Sequence, residues 1–265
     1  MGRICCSFLG LVLGATPMLA YAQDQSAAGE RSWRVTVSPY AWGKNLNGKI
    51  RLAGLSAPVH VPLSDAYETL ESLLMGEITV ETPRWGAFVD YQGTDNADTH
   101  TVMGLPVHAE TELRSVTSGV FYKAYRKSLG GENANGEPRT TEVSPLIGAR
   151  WSKARADLSV PGLINAGKQA EWTDVIVGVR TSSDISRRWN LSTNFDLGGF
   201  DPSERFSFSG DVHLGYRTQL LSRPLLAKVG YAVLLQKYEQ TDFTGDRFVW
   251  DISSHGPVAG VTMVF

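Results

Sequence analysis

From Trp189 to Leu197 the side chains alternate without a slip. Trp189, Leu191, Thr193, Phe195 and Leu197 fall on one face, and Asn190, Ser192, Asn194 and Asp196 on the other. A period of two makes an extended strand with one apolar and one wet face. The pattern recurs in Phe206–Arg217, Leu225–Gln236, Asp174–Arg180 and Val258–Phe265, and more loosely in Trp33–Trp42, Leu74–Thr82, Trp85–Tyr91, Ser115–Tyr125 and Val143–Trp151. Strands of about ten residues are long enough, when tilted, to cross a bilayer.

Composition alone would favour a soluble all-β protein, since only 42% of residues are hydrophobic and 27 are glycine. Aromatic placement argues the other way. Trp33, Trp85, Trp189, Tyr122, Tyr216 and Phe265 lie toward one end of the apolar faces, Trp151, Phe206 and Phe208 toward the other. Two aromatic belts around an aliphatic band match the two membrane–water interfaces. The expected fold is all-β: a transmembrane, antiparallel, up-and-down barrel of about ten strands (8–12), the even number returning both ends to one side.

The N-terminus reads as an export signal spanning 1–22, with the barrel domain occupying 23–265. Arg3 precedes an apolar run from Phe8 to Leu19, and Ala20-Tyr21-Ala22 supplies a cleavage site. Cys5 and Cys6 would leave with it, removing thiolate and disulfide chemistry. Loss of Arg3 leaves 24 basic against 27 acidic residues. That balance argues against a nucleic-acid partner.

Several motifs resemble bacterial outer-membrane β-barrel proteins of about this length, mostly of unassigned function. They are Ser38-Pro39-Tyr40-x-Trp42, Trp85-Gly86-x-Phe88-x-Asp90, Gly148-x-Arg150-Trp151, Trp172-x-Asp174 with Gly178-x-Arg180, Asp196-x-Gly198-Gly199-Phe200, Gly215-Tyr216-Arg217 and Gly256-Pro257-x-x-Gly260, with the terminal Phe265. Gly230-Tyr231-Ala232 departs from the pattern, lacking the expected arginine. The resemblance implies fold and an outer-membrane location; it carries no reaction or ligand. The expected partners are outer-membrane lipid and, through the strand ending in Phe265, the barrel-assembly machinery.

The wet faces collect a candidate lumen charge network: Arg34, Glu77, Glu81, Asp90, Arg150, Asp174, Arg180, Asp196, Asp211, Arg217 and Lys228. Mixed signs in a narrow lumen favour paired charges over a single-sign selectivity ring. The expected role is structural or that of a narrow porin-like channel passing small solutes; a lipid-modifying hydrolase or acyltransferase is the alternative. Catalytic residues are not expected. Ser209, Asp211 and His213 share a face, but same-face neighbours stand about 7 Å apart, a spacing that argues against a bonded triad. Ser254 and His255 point to opposite faces.

Metal and cofactor signals are absent. Asp95-Asn96-Ala97-Asp98 lacks the rest of a calcium loop, and the histidines at 60, 100, 108, 213 and 255 have no ligand spacing. Asp65 and Glu68, followed by Leu70, Leu73 and Leu74, read as a capped helix in the first external loop. Gly43–Leu73, Thr94–Glu110, Arg155–Ala170, Gly198–Arg205 and Tyr238–Arg247 read as external loops, and Arg126–Thr141 as a mobile polar insertion.

Overall fold

The computed structural model describes residues 33–265 apart from 53–54, 63–74, 103–104, 161–163, 202–203, 221–222 and 242–246. In these residues β1 (Arg34–Trp42) is joined on one edge to β4 (Met75–Glu81) and on the other to β13 (Arg247–Val264), which closes the sheet on itself. The ring continues through β5 (Trp85–Val102), β6 (Leu105–Tyr122), β8 (Pro138–Val160), β9 (Ile164–Asp184), β10 (Trp189–Asp201), β11 (Arg205–Leu220) and β12 (Arg223–Thr241). Every pairing is antiparallel, so ten strands form an up-and-down barrel. Closure leaves no unpaired edge in lipid, where an unmatched backbone amide costs several kcal/mol.

Three strands lie off this ring. β2 (Asn45–Leu52) and β3 (Leu55–Val61) form a hairpin paired to β13 above the point where β1 ends. β7 (Tyr125–Glu132) pairs with the opposite end of β8.

Residue orientation shows which solvent each level answers to. Along β9, Val175 is 57% exposed, Ile176 is fully buried and Val177 is 42% exposed. Ile78, Val89, Val120, Ile147, Val212 and Val229 are exposed in the same way around the barrel. A continuous band of exposed aliphatics is the surface of a protein solvated by lipid, not by water. Trp33, Trp85, Tyr122, Trp189 and Phe265 mark its lower edge, and Trp151 and Tyr231 its upper edge.

Above that upper edge the alternation inverts. Along β9 the outward positions become Glu171 and Gln169, while Trp172 and Ala170 turn inward and are buried. On β8 Lys153 and Arg155 face out and Ala154 faces in. The inward set includes Leu46, Ile50, Leu113, Tyr238, Phe248, Trp250 and Ile252, which make one apolar core. Trp172 stacks on Tyr238 with ring centroids 4.5 Å apart. This distal part is therefore built like a water-soluble β-protein, with its oil inside.

That core corrects the loop reading. Thr94–Glu110 and Arg155–Ala170 are mostly strand, their backbones continuing the β5–β6 and β8–β9 ladders beyond the bilayer. The first external segment likewise contains the β2–β3 hairpin. Arg126–Thr141 is also a paired hairpin, with its turn held by Asn133, whose Oδ1 accepts from the Asn135 and Glu137 amides. The helix read at Asp65–Leu74, the export signal, and the side chains of Asp95–Asp98, His100 and His108 lie outside the described residues.

Candidate functional site in the barrel lumen

Lumen side chains form ties at successive levels. At the end opposite the apolar core, the β7–β8 hairpin leans across the mouth. The Ala134 amide donates to the Arg187 carbonyl at 2.7 Å, and Glu137 Oε1 accepts from Arg34 Nη2 on β1 at 2.7 Å. β1 and β8 are four strands apart around the ring, so this contact bridges the opening. Lys123 pairs with Glu81 at 2.9 Å and Arg126 with Glu142 at 3.0 Å. Arg217 bonds to Asp184, whose Oδ1 also accepts from Asn190 Nδ2 at 3.0 Å.

Deeper in, Arg180 on β9 donates to both carboxylate oxygens of Glu77 on β4, at 2.5 and 3.3 Å. Its guanidinium carbon lies 3.8 Å from the Phe88 ring centroid. The ring has room because Gly119 and Gly148 face each other across the β6–β8 ladder. A Cβ at Gly119 would meet Phe88 at 2.9 Å, and one at Gly148 would meet the Ser118 carbonyl oxygen at 2.2 Å. Arg150 Nη2 on β8 donates to both carboxylate oxygens of Asp196 on β10, at 2.8 and 2.9 Å, both groups buried. Arg150 Nε donates to Thr117 Oγ1 at 3.1 Å, and Asp174 stands across the β8–β9 ladder from it. Gln236 on β12 reaches Ser152 on β8 at 3.0 Å, just below the apolar core.

Between these ties lies a chamber of about 350 Å³ lined by Tyr40, Glu77, Asp90, Asp211, His213 and Lys228 among others. Asp90 is held by the Tyr40 hydroxyl at 2.8 Å and Gln92 Nε2 at 2.9 Å. At the joint between β1 and β2, above the bilayer-spanning part of β1, Lys44 Nζ donates to Thr94 Oγ1 at 2.7 Å and lies 4.4 Å from the Trp42 ring centroid. Burial pushes this ammonium down to about 7, against the opposing pull of Asp90.

Of Ser209, Asp211 and His213, two meet despite their spacing along the strand. His213 Nδ1 lies 2.9 Å from Asp211 Oδ1. Both side chains lean along the strand, and Gly230 opposite His213 leaves space for the ring; a Cβ there would meet His213 Cδ2 at 2.8 Å. This imidazole–carboxylate pair faces the lumen, away from lipid. Ser254 is buried on the inner face, whereas His255 bonds through Nδ1 to the Tyr231 hydroxyl at 2.7 Å.

Of the residues the alternation singled out, Arg150, Arg180, Glu77, Asp196, Arg34, Glu81, Asp211 and Arg217 each make an ion contact within 4 Å. Asp174, Asp90 and Lys228 have no such partner within 4 Å among the described residues. Sequence reasoning missed Tyr40, Lys44, Lys123, Glu137, Glu142 and Asp184. Tyr40 was visible as a wet-face member of β1, between Ser38 and Trp42; the others sit in turns, hairpins or the ambiguous stretch near Tyr125.

No family model matches this chain. No curated protein sequence matches it either. Among solved structures it is similar to Ail of Yersinia pestis, crystallised with the heparin analogue sucrose octasulfate, at 10% identity and a TM-score of 0.36, covering 88% of this chain and 98% of that one. It is also similar to the Pseudomonas putida toluene transporter TodX (7% identity, TM-score 0.28, 89% and 90% covered) and to a Pseudomonas aeruginosa FadL homologue (8%, 0.26, 88% and 89%). Independently of these likenesses, the closed ladder and its outward aliphatic band make this chain a membrane-spanning β-barrel of the outer-membrane type.

Proposed function

We propose that this chain is a bacterial outer-membrane barrel whose lumen is a closed chamber, structural at rest and not a continuous pore. The observation that carries this reading is the apolar core across the distal end, where Trp172, Tyr238, Phe248 and Trp250 are buried against one another. An aqueous path needs polar walls or an open radius along its whole length, and this level supplies neither. Residues 1–22 deliver the chain to the envelope and are removed before Gln23.

A narrow passive channel is the second reading, favoured by the charged chamber beneath that core. Reconstitution in planar bilayers separates the two. The closed-chamber reading expects no steady conductance from the wild type across a range of salts and a clear rise in Trp172→Ala. Stable single-channel steps in the wild type would replace it with the channel reading.

A further inference from the structure

We propose that the lumenal chamber binds a small zwitterion, its carboxylate held by Lys228 and its ammonium by Asp90. The inference rests on the closed-chamber reading and adds a ligand class to it.

The argument starts from which charges are already spent. Arg150 is committed to Asp196, Arg180 to Glu77 and Lys123 to Glu81. Lys228 lines the same chamber and forms no ion pair within 4 Å among the described residues. The acidic groups Glu77, Asp211 and Asp90 act on it only at longer range, together with Arg180. Asp90 is its counterpart: both of its hydrogen bonds come from neutral donors, Tyr40 and Gln92. One cation and one carboxylate therefore face a shared cavity without a counter-ion in contact.

Register places them on one stretch of wall. Gly260 pairs with Tyr40 on one side and Lys228 on the other, so the three share a row running across β1, β13 and β12. Two strand spacings put the Tyr40 and Lys228 backbones about 10 Å apart. Between them Gly260 presents bare backbone, where a Cβ would meet Tyr40 Cβ at 2.6 Å. Tyr40 in turn reaches Asp90. The result is a shallow bed with an ammonium at one end and a hydrogen-bonded carboxylate at the other. A chamber of about 350 Å³ falls at the small end of the usual range for ligand pockets. A group carrying both charges can satisfy the two ends together; a simple anion or cation can satisfy only one. Since the distal end is closed by the apolar core, entry is from the Arg34–Glu137 side.

The test is calorimetric titration of the refolded protein in detergent with glycine, β-alanine, γ-aminobutyrate and ε-aminohexanoate. Butyrate and n-butylamine serve as half-molecules. One chain length should bind at least tenfold more tightly than either half-molecule. Lys228→Met and Asp90→Asn should each weaken it tenfold or more while keeping the wild-type heat-modifiable gel migration. Absence of binding at every length, equal binding of a half-molecule, or unchanged affinity in both variants would overturn the proposal. The wild-type length series decides the matter even where a variant does not fold. Conductance in bilayers reports separately on the closed-chamber reading, so the two can fail independently.

Discussion

Arg180 and Glu77 stand 103 residues apart in sequence and meet at 2.5 Å across the lumen, while the same guanidinium lies against Phe88. One side chain thus joins opposite walls of the barrel and fills the space between them. Its planar fork suits both jobs: the edge donates to a carboxylate, and the face lies on an aromatic ring.

Removing one partner of that tie should cost more than removing both. Arg180→Met leaves Glu77 an uncompensated carboxylate in a part-buried site, a loss on the order of 3 kcal/mol by analogy with buried pairs. The double variant Arg180→Met/Glu77→Gln should recover much of it. Urea unfolding in lipid vesicles, followed by tryptophan fluorescence, gives the cycle; strictly additive losses would show that the two groups do not act together.

At the distal core, Trp172→Ala should lower stability by about 3–5 kcal/mol, the usual range for truncating a large buried aromatic. It also removes the ring stacked on Tyr238. Stability and conductance should change together; a stability loss without any conductance would move the seal to another layer.

The floor contact behaves differently because it is wet. Arg34 and Glu137 are 46% and 44% exposed at the side chain, so Glu137→Gln should change stability by less than about 1 kcal/mol. Access should change more. In a chain lacking residues 1–22, and hence all cysteines, a Ser192→Cys reporter on the lumenal face should react faster with a maleimide once Glu137 is replaced. Equal labelling rates would mean that the hairpin does not obstruct the mouth.

Lys44 supplies a pH dependence. In the folded barrel its ammonium is pushed down to about 7 from an ordinary 10.5. Between those values the unfolded chain holds the extra proton, so stability should climb as pH rises through this window and be lowest below it. Lys44→Met should flatten that slope. Unfolding midpoints measured at pH 6, 8 and 10, for wild type and variant, provide the check; parallel profiles would remove Lys44 as the cause.

Within the bilayer, sequence alone decided nearly everything. The alternation of Trp189–Leu197 or Val175–Val179 fixes which side chain meets lipid, because a strand offers only two faces and lipid accepts only one kind of residue. About ten such strands follow (8–12), the structure setting the number at ten, and with them the wet faces carrying Arg150, Arg180 and Asp196. Beyond the membrane the same residue types carry the opposite meaning. Trp172, Phe248 and Trp250 face inward there, and a period of two cannot say on which side the water lies. Pairing was equally out of reach. Glu77 finds Arg180, and Glu137 finds Arg34, only after closure sets the stagger of distant strands. What the chain does with its lumen depends on those long-range distances, which only the folded barrel provides.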